Sequence, residues 1–322
     1  MMQRRSCLIA IATATALPLR ALAATADRPL RLGVLEYGDA PESAQTRRVL
    51  ELLGRFGWHE GSTLRVERRF AAAQQGRIEA LLRELGAVSI DLLFAPGHDI
   101  AKVAKSALPG VPIVTVGSED PVRSGLIDSF SRPGGSVTGV SFMSPELASK
   151  RLEMLRDVVP GLARVAVLWE PGHVDTYYDE VGKVATAIGV RLQMETLASA
   201  ADLEPAFAAL RQPQALFVVP SRLTSLLTQR IVDLALAAKL PTMSAYEAFA
   251  AAGGLMSYGA ASADVLGRVA ALIDRVLNGA RPADTPFELP TRFVLTVNLK
   301  TARRLGLALP QSLLLRADDV IE

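Results

Sequence analysis

Seventeen positions in this chain combine residue types that hold small molecules with places where a short apolar run ends. They are Tyr37, Gly38 and Asp39; Gly97, His98 and Asp99; Ser118 and Arg123; Ser141 and Phe142; Trp169 and Tyr177; Ser221 and Arg222; Tyr246 and Glu247; and Tyr258. Aromatic rings at such places offer flat faces on which a planar or apolar ligand stacks, while a few polar groups orient it. Arg123 and Arg222 are candidates to grip a carboxylate with two parallel N–H donors, and the helix starts after Gly97 and Pro220 add backbone donors. Asp39, Asp99 and Glu247 are candidates to accept an ammonium group. Each has an alternative reading: tyrosines gather at element ends because their hydroxyls seek water, arginines solvate surfaces, and short acids cap helices. The chain has 10 Phe, 5 Tyr and 2 Trp, and all five tyrosines, with Trp169 and Phe142, stand at or just past an expected strand end. Core fillers would lie mid-strand more often.

Covalent chemistry finds little footing. There is no G-x-S-x-G, no H-E-x-x-H, no phosphate-binding Walker loop and no G-x-G-x-x-G after the first strand. His59, His98 and His173 are far apart, with no nearby Cys or His to complete a zinc site, so no metal or other cofactor is expected. Glu119-Asp120 is the tightest acidic pair at a strand end and the only footing for an exported hydrolase. The sequence also fits Asp120 as a cap or turn residue before Pro121.

The elements that must position these residues alternate β-branched runs with amphipathic helical patterns, the mark of parallel βα units. Strands are expected over Arg31–Leu35, Leu64–Phe70, Ile90–Ala95, Ile113–Val116 and Val137–Val140. A second set covers Val165–Trp169, Arg191–Thr196, Leu216–Val219, Thr242–Ser244 and Leu255–Ser257. Between them, Val49, Leu52, Leu53 and Phe56, then Ile78, Leu81, Leu82 and Leu85, recur at helical spacing. Leu227, Ile231, Leu234 and Ala238 mark a helix in the second half, and Val265, Val269, Leu272 and Val276 another. The halves echo one another: Leu92 to Gly97, a helix and Val111-Pro112-Ile113 parallel Leu216 to Ser221, a helix and Leu240-Pro241-Thr242. Ligands of open parallel sheets sit beyond the carboxyl ends of the strands, so two such lobes facing each other enclose a cleft.

The first 23 residues read as a discarded export signal. Two arginines precede an apolar run from Cys7 to Leu19, and Ala21-Leu22-Ala23 matches the small-residue cleavage pattern. Arg4-Arg5 suits either the general secretory or the twin-arginine route. Cys7 stands at the start of the apolar run and not after it, so it is not a lipoprotein cysteine. Of the 322 residues, those 23 include three arginines and no acid, so cleavage turns a net charge of +2 into −1 and removes the single cysteine. Length favours two domains, a thiol-free chain has no disulfide to form, and near-neutral charge removes the electrostatic case for nucleic acid.

Several segments resemble the ABC transporter substrate-binding proteins related to tryptophan and tyrosine binders. They are Ser118-Glu119-Asp120-Pro121-Val122-Arg123-Ser124-Gly125-Leu126, Arg132-Pro133-Gly134-Gly135-Ser136-Val137-Thr138-Gly139-Val140, Pro145 to Glu153, Ala252 to Gly259, and a tail from Asn298 to Ile321. The resemblance implies an α/β fold of type I periplasmic binding protein form: two doubly wound parallel-sheet lobes joined by three crossovers, near Ser141–Ser144, Tyr258–Ala261 and Phe287–Pro290. Lobe one then comprises residues 28–142 with 260–287, and lobe two 143–259 with 288–322. It implies a monomeric, non-enzymatic periplasmic protein that closes on a small ligand, an amino acid or an aromatic or carboxylate-bearing molecule, and delivers it to a membrane permease with its ATPase. A sensory module that touches a membrane receptor uses the same lobes and is the alternative. Three cleft-edge segments depart from the family pattern: Pro96-Gly97-His98-Asp99, Arg123 in place of a common glycine, and Glu170-Pro171-Gly172-His173. Ligand identity therefore does not carry over.

Overall fold

A computed structural model of the chain describes residues 28–142, 147–171 and 175–322, with 175–180 described as backbone alone. The export segment, Ser144 and His173 lie outside the described residues. The ten expected strands are all present, with ends within three residues of expectation.

The first sheet is built from β1 (Leu30–Glu36), β2 (Leu64–Phe70), β3 (Leu92–Pro96), β4 (Ile113–Gly117) and β5 (Val137–Ser141), in the order β2-β1-β3-β4-β5 and parallel throughout. Its helices are α1 (Ala44–Leu53), α2 (Ile78–Ala87) and α3 (His98–Ala107). The strands read as near-continuous apolar runs because helices cover both faces. On one face Leu35, Leu93 and Ala95 pack with α2 and α3; on the other Leu32, Val34, Phe94 and Val116 pack with Val49 and Leu53.

The second sheet contains β6 (Arg164–Trp169), β7 (Arg191–Thr196), β8 (Ala215–Val218), β9 (Thr242–Ser244), β10 (Met256–Ala260), β11 (Phe293–Asn298) and β12 (Asp319–Ile321), ordered β12-β11-β10-β9-β8-β6-β7. The last two strands were not expected from the sequence. The chain returns to this sheet from the first one, so β11 runs antiparallel to β10, while β12 is parallel to β11. Both sheets remain parallel-dominated, the α/β class expected.

The helices of the second half include α4 (Ala148–Val158), α5 (Asp175–Ala187), α6 (Leu203–Ala208), α7 (Arg222–Leu226), α8 (Thr228–Ala237) and α9 (Glu247–Ala251). The helix expected from Leu227 to Ala238 is α8, with those two residues as its caps, and the short α7 precedes it. Leu227 joins the two helices, and Ser221 and Thr224 form a reciprocal cap that starts α7 separately.

Helix α10 (Ser262–Leu277) follows a strand of the second sheet yet packs on the first. Its Val265, Val269, Leu272, Ile273 and Val276 are buried against Leu32, Val34, Phe94 and Val114. At roughly 1.5–3 kcal/mol for each fully buried side chain of this kind, that stripe fixes the helix to the first lobe. The chain thus passes between the lobes three times: after β5, between β10 and α10, and before β11. Two contacts tie these passages together. Arg151 of α4 is 1% exposed and its Nε donates to the Tyr258 carbonyl at 2.6 Å. Glu288 bridges β5, its amide donating to Gly139 O at 2.8 Å and its carbonyl accepting from Ser141 N at 3.0 Å. Its carboxylate pairs with Arg268 and Arg275 of α10. Among the described residues no helix is long and apolar enough to cross a membrane.

Candidate functional site

The carboxyl ends of β1, β3, β4 and β5 face those of β8 and β9 across a cavity of about 430 Å³. This is the size range of small-molecule sites. Nine of the seventeen candidates lie on its wall: Tyr37, Gly38, Asp39, Gly97, Ser118, Phe142, Ser221, Arg222 and Tyr246.

The turn after β1 supplies one wall. Glu36, the last residue of the strand, is 6% exposed, and its Oε1 accepts from the Ser43 amide at 3.2 Å and the Ser43 hydroxyl at 3.0 Å. Ser43 in turn caps α1, its Oγ accepting from Thr46 N at 3.2 Å. Tyr37 follows, with its hydroxyl donating to Ala73 O at 3.1 Å and its ring lying under the Arg222 guanidinium, Cζ 4.0 Å from the ring centroid. Burial raises the Tyr37 phenol above its ordinary pKa; the negative charges of Glu170 and Asp99 push the same way, and Arg222 opposes them.

Gly97 makes the turn from β3 into α3 at a φ of +119°, and a Cβ there would meet Asp99 Oδ1 at 2.8 Å and Arg222 Cδ at 3.0 Å. Only glycine lets the opposite lobe approach this closely. After β4, the Ser118 hydroxyl donates to Pro220 O across the cleft at 3.5 Å. Phe142 after β5 meets Tyr246 after β9 edge to face, with centroids 5.8 Å apart at 70°. The second lobe contributes the start of α7, where Thr224 N donates to Ser221 Oγ at 3.0 Å and Ser221 N to Thr224 Oγ1 at 2.9 Å. Ser221 therefore holds the turn that presents Arg222.

Eight candidates stand elsewhere or are not described as side chains. His98 is 1% exposed under β4, its Nε2 3.4 Å from Val140 O and its ring edge-on to Phe287 at 5.5 Å. Asp99 is taken up by an ion pair with Arg222. Arg123 is exposed and off the cavity wall, so of the two arginines only Arg222 reaches the cleft. Ser141 is buried and donates to Glu119 O at 3.1 Å. Trp169 and Tyr258 pack against the core of the second lobe. Glu247 accepts from Ser262 N at 3.0 Å and so completes the start of α10. The Tyr177 side chain lies outside the described residues. Asp120 is a turn residue, its Oδ1 accepting from Val122 N at 2.9 Å and Arg123 N at 3.2 Å.

The wall also includes residues that the sequence reading did not select: Glu36, Pro41, Ser43, Gln45, Ser225 and Leu226. Glu36 carried a usable signal, an acid closing an otherwise apolar buried strand. Pro41, Ser43 and Gln45 come from the loop and first turn of α1, and Ser225 and Leu226 from the end of α7, which strand ends alone do not reveal. A second hollow of about 510 Å³, beside Trp58 and His59, lies at the C-terminal end of α1, away from the strands' carboxyl ends. Among the described residues no group of three or more His, Cys, Asp or Glu is placed to hold a metal ion.

Two α/β lobes joined by three passages, with a ring-lined cavity between the carboxyl edges of their sheets, define a two-lobed solute-binding protein. The family model for "ABC transporter substrate binding protein" matches residues 41–321. The chain belongs to that family, one of solute-binding proteins. It is 20% identical over 281 residues to the Tyrosine-binding protein of Clostridioides difficile (strain R20291), covering 86% of this chain and 81% of that one. Among solved structures, a conserved domain protein from Vibrio cholerae has a TM-score of 0.84 at 22% identity, with 91% of this chain and 100% of that chain covered. A Streptococcus pneumonia ABC domain in complex with L-Trp has a TM-score of 0.82 at 22% identity, with the same coverage. The ligand-free, open structure of a substrate-binding protein with adhesive properties from Clostridium difficile has a TM-score of 0.63 at 20% identity, covering 91% and 99%.

Proposed function

We propose that this protein is the periplasmic solute-binding component of an ABC importer. It captures a small aromatic ligand, an amino acid or a close relative of one, by closing lobe one (28–142 with 260–287) onto lobe two (143–259 with 288–322). It then delivers that ligand to a membrane permease. The observation that carries the reading is the cavity of about 430 Å³ between the sheets' carboxyl edges, with Tyr37, Phe142 and Tyr246 in its wall. The comparison with relatives of nearly equal identity supports a closed arrangement, since the L-Trp complex superposes at 0.82 and the open ligand-free protein at 0.63. Contacts across the cleft point the same way: Arg222 with Asp99, and Ser118 with Pro220.

A thermal-shift screen of amino acids, aromatic acids, amines and sugars tests this reading. A ligand present at about 100 times its dissociation constant adds roughly 2.7 kcal/mol of apparent stability. An aromatic amino acid or amine is expected to raise the melting temperature. A response confined to sugars or aliphatic ligands would overturn the ligand class.

A further inference from the structure

Glu36 is a buried carboxylate on the cavity wall without a counter-charge among the described residues. At 6% exposure it has lost most of its water, yet among the described residues its hydrogen-bond partners are the amide and hydroxyl of Ser43, both on Oε1. Both donors belong to the N-cap of α1, whose dipole offsets part of the charge, but no full opposite charge stands beside the anion, and burial without one costs several kcal/mol. The cations that could serve are turned elsewhere. On the neighbouring strand β2, Arg68 pairs with Glu42 and Glu60, and Arg69 with Glu84. Across the cleft, Arg222 is held by Asp99, Gln75 and the face of Tyr37. The remaining Arg222 donors, Nε and Nη1, are buried and have no hydrogen-bond partner among the described residues, Glu36 included. Asp39, exposed at the rim, adds a second acid to the same wall.

From this imbalance we infer that Glu36 receives a positively charged nitrogen of the ligand, so that the cleft selects molecules carrying an ammonium group and does not require a carboxylate. The inference rests on reading the cleft as the ligand site, and it names the charge that site selects. The ligand supplies the missing counter-ion, and the strain of the unpaired anion in the empty protein is the cost of that selectivity.

Matched ligands separate the charges: tryptophan, tryptamine and 3-indolepropionic acid, with tyrosine, tyramine and 3-(4-hydroxyphenyl)propionic acid as the phenol series. Each is titrated against the wild type and Glu36→Gln, which keeps the acceptor for Ser43 and removes the charge. The amine-bearing members are expected to bind and the deaminated acids to bind at least about tenfold more weakly, with Glu36→Gln erasing most of that difference. The ligand-free variant is expected to melt at or above the wild-type temperature. Equal binding of acids and amines, or unchanged amine binding by the variant, would overturn the inference. If no ring compound binds, the proposed ligand class fails, and Glu36 is judged by the ligand-free melt alone. There a rise upholds the unpaired charge, and a fall of several degrees makes Glu36 a structural residue and overturns it.

Discussion

Arg222 and Asp99 form an ion pair across the cleft, one residue from each lobe, while the Arg222 guanidinium lies 4.0 Å over the ring of Tyr37. With side chains only 12% and 17% exposed, the pair is shielded from the screening that makes surface ion pairs weak. A charge-assisted contact of this kind is worth about 1.5–3 kcal/mol, enough to bias a two-state opening equilibrium. Asp99→Asn is therefore expected to enlarge the radius of gyration of the ligand-free protein in solution scattering and to weaken ligand binding by about tenfold. Unchanged values of both would mean that the pair has no part in closure.

The Phe142 and Tyr246 rings come from opposite lobes and meet at 5.8 Å. A ligand stacked beside them loses both a face and a closing contact when either is truncated, so Phe142→Ala and Tyr246→Ala are each expected to weaken an aromatic ligand about 5- to 10-fold by calorimetry. Trp169→Ala should do the reverse, lowering the melting temperature while leaving affinity intact, because that ring packs on the core of the second lobe. A large affinity loss at Trp169 would place the ligand differently.

Asp264 governs acid stability near the return passage. Burial pushes its carboxyl upward, but the Thr291 amide at 3.0 Å and the Arg268 guanidinium at 3.1 Å outweigh that and hold it below the usual aspartate range. A depressed folded-state pKa stabilises the fold above the unfolded value, about 3.9, and that contribution fades as pH falls through the folded value. Melting temperatures of wild type and Asp264→Asn should differ at neutral pH and converge below about pH 4. A gap that is the same at every pH would rule out this linkage.

Gly139 lies where β5 meets the bridge from Glu288, and a Cβ there would sit 2.2 Å from Thr115 O on β4. The obstacle is backbone and cannot swing away, so Gly139→Ala should cost about 1–3 kcal/mol and lower the melting temperature by several degrees. A neutral result would show that β4 and β5 separate easily at this passage.

Much of the fold was legible because periodicity records burial. The apolar runs of β1 and β3 and the stripe Val265, Val269, Leu272 and Val276 on α10 all bury as their spacing requires. What spacing does not record is which sheet an element joins. Phe293–Asn298 enters the second sheet antiparallel only because the chain has first crossed to the other lobe. The site was half legible for a related reason. A strand expected to end at Ser257 places Tyr258 as near the carboxyl edge as Tyr246, but β10 runs on to Ala260 and leaves Tyr258 mid-strand against the core, while Tyr246, past the end of β9, lines the cleft. Arg222 stood out as a cation at a helix start, but its engagement by Asp99, 123 residues away in sequence, was invisible. Glu36 was passed over because an acid at the end of a strand ordinarily faces water; here the α1 cap encloses it.

The proposed seat of an ammonium-bearing aromatic ligand is the cavity between the lobes. The most direct measurement is isothermal titration of tryptophan, tyrosine and their amines into the wild type and into a Phe142→Ala, Tyr246→Ala double variant. One site per chain, a negative heat-capacity change from burial of apolar surface, and loss of binding in the variant are expected. Absence of heat from every compound, or undiminished binding by the variant, would contradict this placement.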